Sequence, residues 1–188
     1  MIQQCDGTSL RDCRDHALLL IGFMGALRRS ELSALCIEDV TFANEGLVLV
    51  IRRSKTDQIG EGEPVGIPYG SDPTTCAVRV LKRWITIADV SGGPIFCAIT
   101  RHGHVLRHPL TGDSIARLVQ RRAAAAGLDP RNYGAHSLRA GFATEAAANS
   151  IAESDIMRQT RHRSAAVMRC YVRYGSIWLN NPCSRLGL

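Results

Sequence analysis

The sequence lacks an apolar stretch long enough to cross a membrane. Although 45% of the 188 residues are hydrophobic, the longest apolar run, around residues 17–27, is interrupted by Gly22 and Gly25. A spanning helix needs roughly 20 apolar residues in a row. The N-terminus also lacks the basic stretch and apolar core of a secretory signal. Because no repeat or linker is visible either, we expect one globular domain that works in the cytoplasm.

Cysteine pairs with metal-binding or redox spacing are missing as well. The seven cysteines are an odd number, are widely spread and include no C-x-x-C pair, so we expect no disulfide framework. A possible zinc set, made of Cys97, His102, His104 and His108, has a spacing that fits no common structural pattern. We interpret this segment as a basic loop and expect no metal there.

Lysine is scarce in a chain that is otherwise basic. The formal net charge is +6, yet only Lys55 and Lys82 are lysines among the 23 Lys and Arg residues. A positive charge favours a polyanionic partner, and arginine binds phosphate bidentately. A GC-rich gene would enrich arginine equally well, so the charge alone identifies no partner.

Hydrophobic periodicity and turn residues predict an α+β fold that is mainly helical, with a small three-stranded antiparallel sheet. The predicted strands are residues 40–43, 47–52 and 64–68. The predicted helices are residues 15–26, 28–35, 74–88, 113–126, 137–148, 154–160 and 165–172. The polar loop of residues 54–63 is long for a hairpin and is therefore a candidate for function.

Two motifs place charged residues one helical turn apart. In G-A-L-R-R-S-E-L, the Glu31 carboxylate can brace the Arg28 guanidinium and leave its remaining donors free for an oxyanion. The alternative is an ordinary surface ion pair. His136 and Arg139 face the same way at a helix start and can bind one phosphate together, or they are a capping histidine and a solvated arginine.

Two further sites are ambiguous when each is taken alone. Lys55 lies at the tip of the long loop, where it can reach a nucleic-acid groove or remain a solvated charge. Tyr171 follows His162 by nine residues, and a helix between them would return its hydroxyl toward His162. A tyrosine at helical spacing is more often a core residue, and Tyr174 is also flanked by an arginine. The residues by themselves leave these choices open.

Taken in order, five motifs resemble the tyrosine recombinase/phage integrase family over nearly the whole chain. They are G-x-L-R-R-S-E-L, S-K-T-D-Q, H-S-L-R-A-G-F-A-T, Q-T-R-H-R-S and C-Y-V-R. The resemblance implies the DNA breaking-rejoining enzyme fold, a catalytic domain over residues 1–188, double-stranded DNA as partner and no cofactor. It also implies a pocket and a nucleophile, selected over Tyr174 by the nine-residue offset: Arg28, Lys55, His136, Arg139, His162 and Tyr171.

The resemblance implies attack of Tyr171 on a DNA phosphodiester, which leaves a 3′-phosphotyrosyl link. Arg28 and Arg139 would bind the non-bridging oxygens, and His162 would donate a further hydrogen bond. His136 is expected to manage the proton of the tyrosine.

Lys55 is expected to protonate the departing 5′ oxygen. The rival interpretations are a type IB topoisomerase, which resembles the family in fold and pocket, and a DNA-binding remnant without catalysis.

The chain departs from the family pattern in two features, whereas its tail follows that pattern. Arg161 occupies a position where the family usually has glycine, and it would strain the turn or add a phosphate contact. We expect the chain to lack the N-terminal DNA-clamping (core-binding) domain that relatives carry. The tail, residues 180–188, is similar to family C-termini that pack onto a neighbouring protomer. We therefore expect a homotetramer on DNA and a monomer without it.

Overall fold

The computed structural model describes residues 1–5, 7–52, 62–162, 164–166 and 169–171, together with Cys183 and Leu186. Within these ranges the helices are α1 (Leu10–Met24), α2 (Arg29–Ala34), α3 (Ala77–Ile87), α4 (Gly112–Ala125), α5 (Ala135–Ala148) and α6 (Glu153–Thr160). The strands are β1 (Val40–Phe42), β2 (Gly46–Ile51), β3 (Glu63–Pro68), β4 (Cys97–Ile99) and β5 (Val105–Pro109). Short 3-10 helices cover Ile2–Gln4, Ile37–Asp39 and Pro130–Asn132. The predicted α+β fold, mainly helical with a small antiparallel sheet, is confirmed.

Helix α1 lies in the middle of the core. Ser9 Oγ accepts a hydrogen bond from the backbone N–H of Asp12 at 3.1 Å, which satisfies a free donor at the helix start. Ala17, Leu18 and Ile21 are fully buried. The helix packs against both α3 and α5, so apolar residues cover more than one of its faces. No helix in the described part of the chain is both long and apolar enough to cross a membrane.

The three-stranded sheet covers one side of this core. Its strands are antiparallel in the order β1-β2-β3, and Leu49 of β2 pairs with Val40 on one side and Val65 on the other. Leu47, Leu49, Val65 and Ile67 are all nearly fully buried. Alternate residues of a strand point to the same face, so these side chains form the inner surface of the sheet.

A second, two-stranded antiparallel sheet, formed by β4 and β5, adds to the one that was predicted. Its short strands fall in the segment that the sequence indicates as a basic loop. Cys97 is buried, whereas His102, His104 and His108 are exposed, so these residues do not face a common centre. Over the residues that the structure describes, no three His, Cys, Asp or Glu side chains are grouped closely enough to hold a metal ion.

Helix α5 is fixed against the C-terminal half of α1. It begins at Ala135, two residues before the predicted start, and Ser137 Oγ accepts a hydrogen bond from the Gly134 N–H at 3.0 Å. A Cβ atom on Gly22 of α1 would lie only 2.6 Å from Cδ1 of Leu138. Leu138 therefore packs directly over Gly22, and this contact brings the first turns of α5 to the end of α1.

Candidate active site

Arg28 lies at the start of α2, directly after the buried residues 25–27 that follow α1. Its backbone N–H donates to Glu31 Oε2 at 2.7 Å, and its Nη1 donates to Oε1 at 2.5 Å. The Glu31 side chain is fully buried, whereas the Arg28 side chain is 29% exposed. Burial raises the pKa of Glu31, but the charge of Arg161 and the hydrogen bonds from Arg28 outweigh it and hold the pKa below its usual value. The ionised carboxylate thus holds Arg28 in place while part of that side chain stays accessible.

Arg139 reaches the same region from the second turn of α5. The residue is only 2% exposed, and its Nη1 donates to the carbonyl oxygen of Ala26 at 2.8 Å. Its Nη2 is buried and has no hydrogen-bond partner among the described residues. Burial and the charges of Arg28 and Arg161 lower the pKa of Arg139 to about 10. Because a buried donor without a partner is costly, Nη2 has unused hydrogen-bonding capacity that an oxyanion reaching it would satisfy.

The hydroxyl of Tyr171 contacts His136. The His136 Nε2 lies 2.8 Å from the phenolic oxygen, and His136 is in the first turn of α5. The ring of Tyr171 is half-buried and packs beside a small cluster that includes Ala143 and Ile156. The ring of His162 also stacks on it, with centroids 6.2 Å apart and an interplanar angle of 20°. The phenol is therefore in contact with two imidazole rings.

His162 is held by Thr160 at the end of α6. The Thr160 hydroxyl donates to the carbonyl oxygen of Ile156 at 2.7 Å and lies 2.9 Å from His162 Nδ1. Since the single hydroxyl hydrogen goes to Ile156, the contact with His162 requires Nδ1–H to donate. Burial, with the charges of Arg139 and Arg28, lowers the pKa of His162 to about 4. The neutral ring then has a free lone pair on Nε2, which becomes a donor only after protonation.

Arg161 does not extend into solvent. Its backbone is left-handed, with φ 55° and ψ 41°, and its side chain is 5% exposed. Its Nη2 donates to Glu31 Oε2 at 2.6 Å, and its Nη1 donates to the carbonyl oxygen of Gly25 at 3.2 Å. Of the two effects expected from the sequence, the unusual turn conformation is present, while the guanidinium binds a buried carboxylate inside the protein.

Five of the six predicted site residues converge around the end of α1 and the start of α5: Arg28, His136, Arg139, His162 and Tyr171. The sixth, Lys55, lies outside the described residues, as do Tyr174 and nearly all of the tail at residues 180–188. Thr160 and the inward side chain of Arg161 were not predicted. The only sequence signal for Arg161 was its departure from the usual glycine, and Thr160 gave none.

Comparisons with known proteins identify the family of this chain. The profile of the phage integrase family matches residues 1–175. The chain belongs to the phage integrase family. Among curated relatives of this integrase-family chain, an "Integrase/recombinase xerD homolog" from Selenomonas ruminantium is 42% identical over 96% of the chain and 53% of the relative. "Tyrosine recombinase XerD" from Xanthomonas axonopodis pv. citri (strain 306) is 29% identical over 70% of the chain and 41% of the relative. The chain thus spans about half the length of the curated relatives that it matches.

Solved structures share the fold of this phage integrase family member. The XerH site-specific recombinase, bound to palindromic difH substrate in a post-cleavage complex, has a TM-score of 0.75 at 22% identity. The alignment covers 97% of this chain and 49% of the XerH chain. XerA recombinase has a TM-score of 0.68 at 19% identity, and the alignment covers 98% of this chain and 58% of the XerA chain. A lambda integrase dimer bound to a COC′ core site has a TM-score of 0.63 at 19% identity, and the alignment covers 92% of this chain and 45% of the lambda integrase chain.

Proposed function

We propose that this chain is the catalytic domain of a site-specific DNA recombinase that cleaves and rejoins DNA through Tyr171. The observation that carries the proposal is the 2.8 Å contact between the Tyr171 hydroxyl and His136 Nε2, next to two arginines suited to an oxyanion. Membership of the phage integrase family and the 42% identical integrase/recombinase relative support it. Double-stranded DNA is accordingly the proposed partner and substrate.

Attack on a phosphodiester requires an activated phenol and a stabilised transition state. A phenol is almost fully protonated at neutral pH and is a weak nucleophile, so His136 accepts the proton as the Tyr171 oxygen bonds to phosphorus. The Arg28 guanidinium and Arg139 Nη2 bind the non-bridging oxygens, where negative charge accumulates. The phosphate anion favours protonation of His162, whose Nε2–H then adds a further hydrogen bond.

The leaving group is the 5′ oxygen of the next nucleotide. The bond between phosphorus and this oxygen breaks, the oxygen takes a proton, and a 3′-phosphotyrosyl link and a free 5′-hydroxyl remain. We assign that proton to Lys55, the lysine that the family resemblance selects. Because the tyrosyl ester conserves the energy of the phosphodiester, the 5′-hydroxyl of a second strand can reverse the step without ATP.

Covalent capture on DNA of randomised sequence tests this function and finds the target site in the same experiment. The protein is incubated with nicked suicide duplexes, and complexes that resist denaturant are isolated and their DNA sequenced. We expect a defined site to be enriched by the wild-type chain and by Tyr174→Phe, and no adduct to form with Tyr171→Phe. These two substitutions remove the same hydroxyl three residues apart, so each controls for the other.

Two other outcomes would indicate a different function. DNA that is shifted by the protein at concentrations where no adduct forms would indicate a DNA-binding remnant without catalysis. An adduct that relaxes supercoiled DNA but never joins two separate sites would indicate a topoisomerase. The proposed recombinase joins the cleaved strand to the 5′-hydroxyl of a second duplex.

We also propose that four copies assemble on two DNA sites and that the free chain is a monomer. A palindromic substrate, such as that in the XerH complex, presents two symmetric half-sites, and two such sites would bring four protomers together. The tail at residues 180–188 is the proposed contact between neighbours. Light scattering should give a monomer mass alone and a tetramer mass with the selected duplex, whereas a stable tetramer without DNA would contradict this assembly.

A further inference from the structure

Arg161 is the residue at which this chain departs most clearly from its family motif. It ends α6 in a left-handed backbone conformation, which residues with a Cβ atom adopt much less readily than glycine. Its long cationic side chain is nevertheless only 5% exposed. A costly conformation that brings a charge into the protein indicates that the surroundings use that charge.

We propose that Arg161 is a positioning residue that holds Arg28 for the scissile phosphate. The inference rests on the proposed function, because it assumes that Arg28 binds the phosphodiester. Arg161 itself acts through its neighbours and does not contact DNA.

The contacts form a closed ring around Arg28. Arg161 Nη2 donates to Glu31 Oε2 at 2.6 Å, and Arg28 Nη1 donates to Glu31 Oε1 at 2.5 Å. Arg28 Nη2 completes the ring by donating to the backbone carbonyl oxygen of Arg161 at 3.3 Å. Residue 161 therefore restrains Arg28 twice, once through the shared carboxylate and once through its own carbonyl group.

The same ring is anchored to two other parts of the fold. Arg161 Nη1 donates to the carbonyl oxygens of Gly25 at 3.2 Å and Gln159 at 3.1 Å. Its Nε lies 3.7 Å from Glu63 Oε2, at the start of β3. The Arg161 side chain is only 5% exposed and both of its terminal nitrogens are used within the protein, whereas the Arg28 side chain is 29% exposed. The Arg161 guanidinium therefore restrains its neighbours and does not reach a phosphate.

The ring also affects the balance of charge around Arg28. Glu31 alone would neutralise Arg28, because one buried carboxylate would face one arginine. With Arg161 bound to the other carboxylate oxygen, the buried carboxylate is shared between two arginines, and the partly exposed Glu63, 3.7 Å from Arg161 Nε, is the second negative charge beside them. Arg28 is therefore fixed by Glu31 without being the sole partner of that carboxylate.

The first test measures Arg28 directly and needs no DNA. In Arg161→Gly, which suits the left-handed turn, the Nε–Hε group of Arg28 should become more mobile in heteronuclear NOE measurements. Arg161→Lys should show an intermediate effect, because it keeps the charge but loses the paired donors. Arg158→Lys, on the exposed face of α6, is the matched control and should leave Arg28 unchanged. An Arg28 signal that is equally rigid in all these proteins would overturn the inference, whether or not the protein cleaves DNA.

The second test uses the duplex selected by covalent capture. Arg161→Gly should slow single-turnover cleavage by about tenfold to a hundredfold, because Arg28 loses the contacts that position it for the phosphate. DNA affinity should stay within about threefold of the wild-type value. On a duplex with a neutral methylphosphonate at the scissile position, the cleavage rates of the variant and the wild type should differ by less than about threefold. The methyl group replaces one of the charged non-bridging oxygens that Arg28 would bind. The variant Arg161→Gly combined with Arg28→Ala should be no slower than Arg28→Ala alone.

These results separate positioning from general structural damage. A defect of the same size on the phosphodiester and the methylphosphonate, or additive defects in the double variant, would overturn the inference. A wild-type chain that forms no adduct would instead refute the proposed function, and the mobility of Arg28 would still decide the role of Arg161. Arg161→Lys keeps the test usable if the glycine variant is poorly folded.

Discussion

The Nε2 atom of His136 lies 2.8 Å from the hydroxyl oxygen of Tyr171, although the two residues are 35 positions apart in the chain. They meet where Leu138 of α5 packs over Gly22 of α1 and where Tyr171 packs beside Ile156 of α6. The contact is short enough for a proton to pass directly between the two side chains. It is the geometric basis for assigning His136 as the base.

If His136 accepts the phenolic proton, replacing it with glutamine should slow formation of the Tyr171 adduct by roughly 10² to 10⁴-fold. Glutamine can still hydrogen-bond to the phenol but cannot take up the proton. The rate is measured in a single turnover on the duplex selected by covalent capture. His104→Gln, on the exposed hairpin, is the control for the substitution. A His136→Gln protein that forms the adduct at the wild-type rate would remove His136 from this role.

Cleavage should be slower even when Arg139 is replaced by lysine. Arg139→Lys keeps a positive charge, but one ammonium group cannot both donate to the Ala26 carbonyl oxygen and place a second donor where Nη2 lies. Loss of one hydrogen bond to a charged group costs about 1.5 to 3 kcal/mol, or roughly tenfold to a hundredfold in cleavage rate. Arg117→Lys, exposed on α4, controls for the substitution. Equal cleavage by Arg139→Lys and wild type would show that Nη2 does not bind the phosphate.

His162 should make the protein less stable as the pH falls from about 6.5 to about 4. Burial and the charges of Arg139 and Arg28 lower its pKa from 6.5 to about 4. The unfolded chain therefore binds the proton first as the pH falls, so the stability is fully present above 6.5 and is progressively lost toward 4. In denaturant unfolding, His162→Gln should lose less free energy of unfolding across this range than wild type.

The exposed His108→Gln provides the baseline for that comparison. It should follow the wild-type pH dependence, because the wild-type His162 is still present. If His162→Gln and wild type lose stability in parallel between these pH values, the pKa of His162 is not lowered in the folded protein.

Thr160 should matter through the orientation of His162. Thr160→Val keeps the side-chain shape but removes the oxygen that lies 2.9 Å from Nδ1. One lost hydrogen bond is worth about 1 kcal/mol, so cleavage should slow by about fivefold. Thr86→Val is a matched control, since the Thr86 hydroxyl also donates to the carbonyl oxygen four residues before it. The ¹⁵N shifts of the His162 ring should move in Thr160→Val only, and unchanged shifts would contradict the assigned tautomer.

Much of the fold follows from patterns that act over short distances in the chain. The apolar run of β2 and the turn at residues 44–46 before it predicted two strands of the sheet, and the apolar run of α1 predicted the central helix. The hairpin of β4 and β5 was missed because β4 has only three residues and its connection to β5 is polar. Short strands of this kind are stabilised by tertiary packing, here through the buried Cys97 and Ile99.

The residues of the candidate site could be predicted only in part. The order of five motifs identified residues that the fold then brings together, such as Arg28 and Arg139, but only through resemblance to a family. The direction of the Arg161 side chain was not predictable from its neighbours in sequence. It depends on Glu31, which lies 130 residues earlier in the chain and is fully buried in the folded protein.

The central claim is that the Tyr171 oxygen becomes bonded to DNA phosphorus, and peptide mapping of the captured adduct tests it most directly. After nuclease digestion, trypsin cuts at Arg169 and Arg173 and thereby separates Tyr171, in residues 170–173, from Tyr174, in residues 174–185. We predict that mass spectrometry finds the nucleotide phosphate on residues 170–173 alone. A nucleotide on residues 174–185, or on neither peptide of a captured complex, would contradict the account.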